Sequence, residues 1–212
     1  MFMKSIIPSI IAKSQKEFDE CFEKVKSGSN IHLDIMDGKF VRQQSLNFPF
    51  KLPREKRDYQ AHLMVKNPLA WIDKNAHKVD TIIFHIESYH KFSKIQDTIK
   101  LIKEKHKKVG IALNPLTSVK SIQHLVKNIN LVLIMTVHPG RYGSRFIVSA
   151  LKKANKIKSF NPKIKIQIDG GINDKTIVRA RKYADSFVSG SYIQNAESPK
   201  NAIKELSSIA NS

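Results

Sequence analysis

Hydrophobic and polar positions alternate between two textures from one end of the chain to the other. Short runs rich in aliphatic and β-branched residues recur at 5–10, 30–35, 59–64, 81–86, 109–113, 131–135, 164–168 and 186–189. Several are continuous, as in Leu131-Val132-Leu133-Ile134-Met135, the pattern of a strand buried on both faces. The stretches between them carry helical spacing. Phe18, Cys21, Phe22 and Val25 share one face, as do Ile122, Leu125 and Val126, and Ile99, Leu101 and Ile102 in part. Ser14 with Glu17 three residues on makes a capping-box pattern. Pro68 after Asn67 and Pro199 after Ser198 suit the first turn of a helix. Eight strands with seven or eight intervening helices in 212 residues predict an α/β fold, a compact (β/α)8 TIM barrel spanning 1–212 as a single domain. An open doubly wound sheet would bring fewer strands and a Gly-rich first turn, whereas this turn reads Pro8-Ser9-Ile10-Ile11-Ala12.

Composition narrows the class. Hydrophobic residues make up 41% and charged residues 26%, enough for a core and ordinary for a globular chain. A lone cysteine, Cys21, excludes an internal disulfide and a thiolate zinc site. No apolar run is long enough to cross a bilayer, and the first residues lack the architecture of a signal peptide. The expectation is a cytoplasmic protein with no membrane partner. The net charge of +19 comes largely from lysines spread along the chain. Lys152, Lys153, Lys156 and Lys158 alternate with Leu151, Ala154 and Ile157, which reads as the wet side of an amphipathic helix. A nucleic-acid-binding protein would interleave basic and aromatic residues on one face. Here Phe18, Phe22, Phe84 and Phe187 sit in apolar surroundings, so no nucleic-acid partner is expected.

In a barrel the chemistry gathers where the strands end, and polar groups appear there in turn: Ser9; His32, Asp34 and Asp37; His62 and Met64; His85 and Glu87; Asn114; Met135 and His138; Asp169 with Gly170 and Gly171; Gly190 and Ser191. His32 and Asp34, two apart, point to the same side of a strand. With His62 on the next strand and Asp169 across the barrel they make a two-His, two-carboxylate set suited to Zn, Fe, Mn or Co and unlike a calcium cage. Each residue alone reads equally well as a hydrogen-bonded interior group; it is the set of four that favours a metal. Gly170-Gly171, followed by Asn173 and Asp174 opening a helix, and Gly190-Ser191 are turns that offer bare backbone N–H groups to an anion, at the two positions where barrels of this kind hold phosphate.

These residues resemble the ribulose-phosphate 3-epimerase family over nearly the whole chain. The resemblance rests on Pro8-Ser9-Ile10, on His32-Leu33-Asp34-Ile35-Met36-Asp37-Gly38-Lys39-Phe40-Val41, on His62-Leu63-Met64-Val65 and on Phe84-His85-Ile86-Glu87. It continues through Leu113-Asn114-Pro115, Leu133-Ile134-Met135-Thr136-Val137, Ile168-Asp169-Gly170-Gly171-Ile172 and Ser189-Gly190-Ser191. It implies a barrel of the ribulose-phosphate-binding type and an isomerase that inverts C3 of a ketose phosphate, ribulose 5-phosphate to xylulose 5-phosphate, with one divalent ion. It implies His32, Asp34, His62 and Asp169 as metal ligands, and Asp34 and Asp169 as the acid–base pair. Met36, Met64 and Met135 would line the reacting carbons and Ser9 would contact substrate. Gly140, Gly170, Gly171, Gly190 and Ser191 would bind the substrate and its phosphate. It also implies a homo-oligomer.

The chain departs from the family's pattern on the loops. After the sixth strand, Pro139-Gly140-Arg141-Tyr142-Gly143-Ser144 replaces the usual Pro-Gly-Phe-Gly-Gly-Gln, and His138 stands where Asn or Glu is frequent. The segment 42–50 after the second strand differs as well, and Tyr192 takes the place of a small residue after the eighth. These changes point to an alternative substrate, such as fructose or allulose 6-phosphate or a modified sugar. An aldolase or decarboxylase of related architecture would want a lysine close to the strand-two aspartates, whereas Ile35 and Met36 lie between Asp34 and Asp37, and no strand end offers the interior lysine of a Schiff-base aldolase.

Overall fold

The computed structural model describes residues 3–55, 57–140 and 145–212. Eight parallel strands form the frame: β1 (Ser5–Ile10), β2 (Asn30–Asp37), β3 (Asp58–Met64), β4 (Thr81–His85), β5 (Lys108–Leu113), β6 (Leu131–Met135), β7 (Lys165–Asp169) and β8 (Ser186–Ser189). Each pairs with the next, and β1 pairs with both β2 and β8, which closes the sheet into a TIM barrel. The predicted strands all exist. Their ends move by a residue or two: β2 runs on to Asp37, Ile86 opens a short 3₁₀ turn, and β7 extends to Asp169.

Alternation along the strands separates two cores. Outward residues such as Ile31, Leu33, Ile35, Ala61, Leu63, Phe84, Ile111, Val132, Ile134, Ile166, Ile168 and Phe187 join the layer between barrel and helices. Inward residues Ile7, Ile83, Ala112, Leu133, Met135 and Val188 make a smaller apolar cluster inside the barrel.

The helices are α1 (Gln15–Val25), α2 (Pro68–Asn75), α3 (Phe92–Glu104), α4 (Lys153–Phe160), α5 (Asp174–Ala180), α6 (Ser191–Gln194) and α7 (Pro199–Asn211). The Ser14 side chain accepts from Glu17 N–H, while the Glu17 carboxylate reaches back to Lys13 N–H at 2.7 Å, one residue before the cap. Asn67 caps α2 with Pro68 in its first turn; Pro199 starts α7, but the Ser198 side chain makes no capping bond.

Two expected helices take another form. Between β2 and β3 there is no helix among the described residues. A two-residue antiparallel strand, Gln44–Ser45, folds back on the end of β2, and Leu46 and Phe50 bury their side chains, with Phe50 stacked on Phe18 of α1 at 6.1 Å. Between β5 and β6, Val119–Ile122 is a 3₁₀ turn. Val119, Ile122 and Leu125 are spaced three apart, which matches three residues per turn better than 3.6.

The lysine-rich segment needs a further correction. Lys153 is half-buried and its Nζ donates to the carbonyls of Asn114 (2.6 Å) and Thr117 (2.7 Å); Lys158 Nζ donates to the Ile164 carbonyl and pairs with Asp185. Two of the four lysines thus hold the loops at the barrel's ends and do not merely face solvent.

Candidate active site

Strand β2 explains most of the site. Its alternation sends Ile31, Leu33 and Ile35 outward into the helix layer and His32, Asp34 and Met36 inward. The register sets His32 beside Gln60, Asp34 beside His62 and Met36 beside Met64 on β3. Where β2 ends, the Asp37 carboxylate accepts from Lys39 and Phe40 N–H with one oxygen and from Lys66 N–H with the other, tying this loop to the end of β3. Burial works against charge on Asp37, but these three amides hold its pKa below the ordinary value.

On the far side, β7 delivers Asp169, and two glycines turn the chain at once. Gly170 has φ 110° and a Cβ there would lie 2.5 Å from Val137 Cγ2; Gly171 has φ 67° but room for a side chain. Gly170 is therefore required by both backbone and packing, Gly171 by backbone alone.

The four residues singled out in the sequence converge. His32, Asp34, His62 and Asp169 each offer a donor atom, all within 4.8 Å of one another. Asp34 Oδ1 lies 3.3 Å from His32 Nε2 and 3.1 Å from His62 Nδ1; Asp169 Oδ2 lies 3.4 Å from His62 Nδ1 and 3.9 Å from His32 Nε2. Both imidazoles are fully buried. Burial alone would push the Asp34 carboxyl up and the His62 imidazole toward neutrality. The charges win: His32 and His62 hold Asp34 well below the usual carboxylate range, and hydrogen bonds to Asp169 and Asp34 carry His62 up to about 9.

This donor set fits a divalent ion. His32 Nε2 is buried with no hydrogen-bond partner although it faces both carboxylates, an atom a cation would satisfy. Its other nitrogen, Nδ1, sits 2.8 Å from Gln60 Nε2, one of the two interchangeable ends of that amide. Turned so that Oε1 accepts from Nδ1–H, that amide leaves the Nε2 lone pair aimed at the centre. Two imidazole nitrogens and two carboxylates suit Zn, Fe, Mn or Co.

Beside the cluster opens a pocket of about 420 Å³, bordered by Ser9, Asp34, Met36, Met64, Met135, Gly140, Asp169, Gly170, Gly171, Gly190 and Ser191. Every candidate substrate residue from the sequence thus reaches one cavity, with His32 and His62 beneath its floor. Ser9 Oγ packs so closely on Gly190 that a Cβ there would lie 2.6 Å from it. Sequence reading missed Ile11, Gln43, Val137, Phe146, Thr176 and Val188, which border the same pocket; Asn173, named in the sequence with the turn after the seventh strand, borders it too. For Val188 the signal was present in the alternation along β8; Phe146 and Gln43 are brought in by loops.

Two expectations change. Asn173 Oδ1 accepts from Lys175 and Thr176 N–H, so the first amides of α5 are capped by their own chain and not open to an anion. Tyr192 does not border the pocket; its hydroxyl donates to Glu205 on α7 at 3.0 Å. The departures at Arg141, Tyr142, Gly143 and Ser144 lie outside the described residues.

Comparison with known proteins adds the following. Residues 5–194 match the Ribulose-phosphate 3 epimerase family. A ribulose-phosphate 3-epimerase from Helicobacter pylori J99 is 32% identical over 96% of this chain and 97% of its own length. The cytoplasmic isoform of ribulose-phosphate 3-epimerase from Oryza sativa subsp. japonica is 34% identical over 95% of this chain and 90% of its own. Among solved structures, 3-hexulose-6-phosphate synthase from Salmonella typhimurium superposes with a TM-score of 0.72 at 15% identity, covering 97% of this chain and 98% of that one, a likeness of fold.

Proposed function

The chain belongs to the ribulose-phosphate 3-epimerase family, a family of isomerases, and from that premise we propose that it inverts C3 of ribulose 5-phosphate to give xylulose 5-phosphate. The observation that carries this reading is the convergence of His32, Asp34, His62 and Asp169 at the floor of a pocket whose rim holds the phosphate-type turns. When bound by these four residues, a divalent ion supplies Lewis-acid stabilisation of the charge that builds on the substrate's carbonyl oxygen.

The chain's own groups do the rest. Asp34 comes from β2 and Asp169 from β7, with β1 and β8 between them in the barrel wall, so the carboxylates approach a substrate from two sides. One takes the proton from C3, leaving the electrons delocalised over C2, C3 and their oxygens as an enediolate. The other enters the step as the carboxylic acid and gives its own proton to the opposite face, so that the centre is inverted and the two residues end with their protonation exchanged. The held-down pKa of Asp34 keeps it ionised. Met36, Met64 and Met135 line the pocket next to the two aspartates with polarizable, apolar side chains that exclude water from a reactive carbanion. Gly170, Gly171, Gly190 and Ser191 present backbone at the far rim for the phosphate.

We read 1–212 as one catalytic barrel that self-associates and works in the cytoplasm on a phosphorylated ketose; among the described residues no helix is long and apolar enough to cross a membrane. A shift to a six-carbon substrate loses one of its supports, because Tyr192 makes its hydrogen bond to Glu205 and does not border the pocket; among the described residues, Gln43 is the departing one that borders it.

The test is deuterium uptake at C3 in heavy water, followed by proton NMR with ribulose 5-phosphate, fructose 6-phosphate and allulose 6-phosphate. Uptake is expected with ribulose 5-phosphate, to vanish on chelation and to return with Zn, Mn, Fe or Co. Exchange that ignores the chelator would remove the metal from the reading. A preference for a six-carbon substrate would replace the pentose.

A further inference from the structure

Behind the four-residue cluster lies a second, largely buried row of groups that the acid–base chemistry does not use. His62 Nε2, on the side of the ring away from the cluster, sits 2.9 Å from His85 Nε2. His85 Nδ1 sits 3.0 Å from Glu87 Oε2. The other Glu87 oxygen accepts from Asn114 N–H at 2.8 Å and from the Thr117 hydroxyl. The Phe40 ring packs over His85 at 4.8 Å, and Lys153 grips the carbonyls of Asn114 and Thr117 from outside.

The direction of every proton in this row is set from its outer end. The Asn114 amide and the Thr117 hydroxyl are donors, so they need an acceptor at Glu87. A carboxylate satisfies them with one oxygen and still has the other to accept from His85 Nδ1–H. His85, protonated on Nδ1, then has a bare Nε2 that accepts from His62 Nε2–H. With its proton fixed on Nε2, His62 offers Nδ1, the atom 3.1 Å from Asp34 and 3.4 Å from Asp169, to a cation that takes the place of the second proton the two carboxylates hold there in its absence.

We propose that Glu87 and His85 are positioning residues that lock His62 in the one tautomer able to ligate a divalent ion through Nδ1. This rests on the metal reading given above and extends it to two residues outside the ligand set. Glu87→Gln reverses the row. Its amide oxygen must still serve Asn114 and Thr117, so its –NH2 faces His85 and donates to Nδ1. His85 then carries its proton on Nε2 and donates to His62 Nε2, which puts the His62 proton on Nδ1, where the ion would bind.

The experiment titrates stripped protein with Co(II) against a chromophoric chelator and records the Co(II) d–d bands, with no substrate present. Glu87→Gln is expected to weaken Co(II) binding by about 10–100-fold, the usual loss for an outer partner of a metal-bound histidine, and to alter the bands. His85→Phe should weaken it by a similar factor. Adding Glu87→Gln to His85→Phe should change nothing further, since the connection is already cut. Wild-type affinity in Glu87→Gln, or losses that add in the double variant, would overturn the proposal while leaving the metal reading intact. Absence of Co(II) binding by the wild type would overturn both. A readout on the unaltered protein guards against variants that fail to fold: nitrogen-15 NMR of the imidazoles in the Zn(II)-loaded wild type should find the His85 proton on Nδ1, and a proton on Nε2 would sink the idea.

Discussion

Inside the barrel, one arc is apolar and the other is polar. Ile7, Ile83, Ala112, Leu133, Met135 and Val188, drawn from β1, β4, β5, β6 and β8, pack on one another. On β2 and β3 the equivalent inward positions carry His32, Asp34, Gln60 and His62, all buried, and Asp169 joins them from β7. The two arcs share one backbone geometry and differ in what their side chains contribute. Each apolar residue stabilises the fold by leaving water. Each polar one costs free energy to bury and repays it only through its partners. The apolar arc and the outer helix layer therefore hold the strands in place, so that the polar arc need not stabilise anything and is free to be arranged for chemistry.

The sharpest way to break this division is Asp169→Asn. The substitution preserves shape and keeps an acceptor, so the fold should stand, with an unchanged circular dichroism spectrum. Deuterium uptake at C3 should fall by about 10²–10⁴-fold, the contribution of a positioned acid–base group. Uptake near the wild-type rate would remove Asp169 from the reaction.

How much of this contrast can be read from the chain follows the same line. The strands were legible because burial on both faces writes continuous apolar runs, as in Leu131–Met135. The polar arc was legible in part because His32, Asp34 and Met36 alternate with Ile31, Leu33 and Ile35, and alternation is a property of one strand. The row from His62 through His85 to Glu87 was not, although both outer residues stood out as polar groups at a strand end. Their meeting depends on the register that sets His62 beside Ile83 and on Asn114 and Thr117 from a loop. The missing helix after β2 was hidden for another reason. Phe48 and Phe50 supply apolar residues as a helix would, but Pro49 and Pro53 stand among them, and proline breaks the ladder a helix needs.

A complementary change tests the apolar arc. Leu133→Ala removes a fully buried side chain from the inner cluster and should lower unfolding free energy by about 2–5 kcal/mol, seen as a lower urea midpoint. Co(II) affinity of the folded protein should hold. If metal binding fell along with stability, the two arcs would not be separable.

The seam between them is tested by Gly170→Ala. Val137, which packs against the inner apolar cluster, touches Gly170 immediately after Asp169. A methyl group there meets both a φ of 110° and the Val137 side chain, and a strained backbone of this kind costs about 1–3 kcal/mol. Lower stability is expected together with a raised KM, because the turn borders the pocket; a KM equal to wild type would place the turn outside substrate binding.

The smallest effect concerns acid, where only the polar arc should respond. Glu87 has its pKa lowered: burial opposes the charge, but His85, Thr117 and Asn114 outweigh it. A group depressed in the folded state contributes stability above its unfolded value, here the ordinary 4.5, and that contribution fades as pH falls through the folded value. Between pH 7 and pH 4 the stripped protein should therefore lose the Glu87 contribution, while the raised pKa of His62 works in the opposite direction in both proteins. Glu87→Gln, which has no proton to gain, should lose less over the same interval, by about 1 kcal/mol, the net scale of one ordinary hydrogen bond. Asp34 is depressed as well, but it is present in both proteins and cancels in the difference. Urea unfolding of wild type and variant at the two pH values, with chelator throughout, gives four midpoints. Leu133→Ala run alongside should lose as much on acidification as the wild type, since the apolar arc has nothing to titrate. A Glu87→Gln protein as acid-sensitive as the wild type would mean that the charge on residue 87 is not held by its partners, and the polar arc would end at His62.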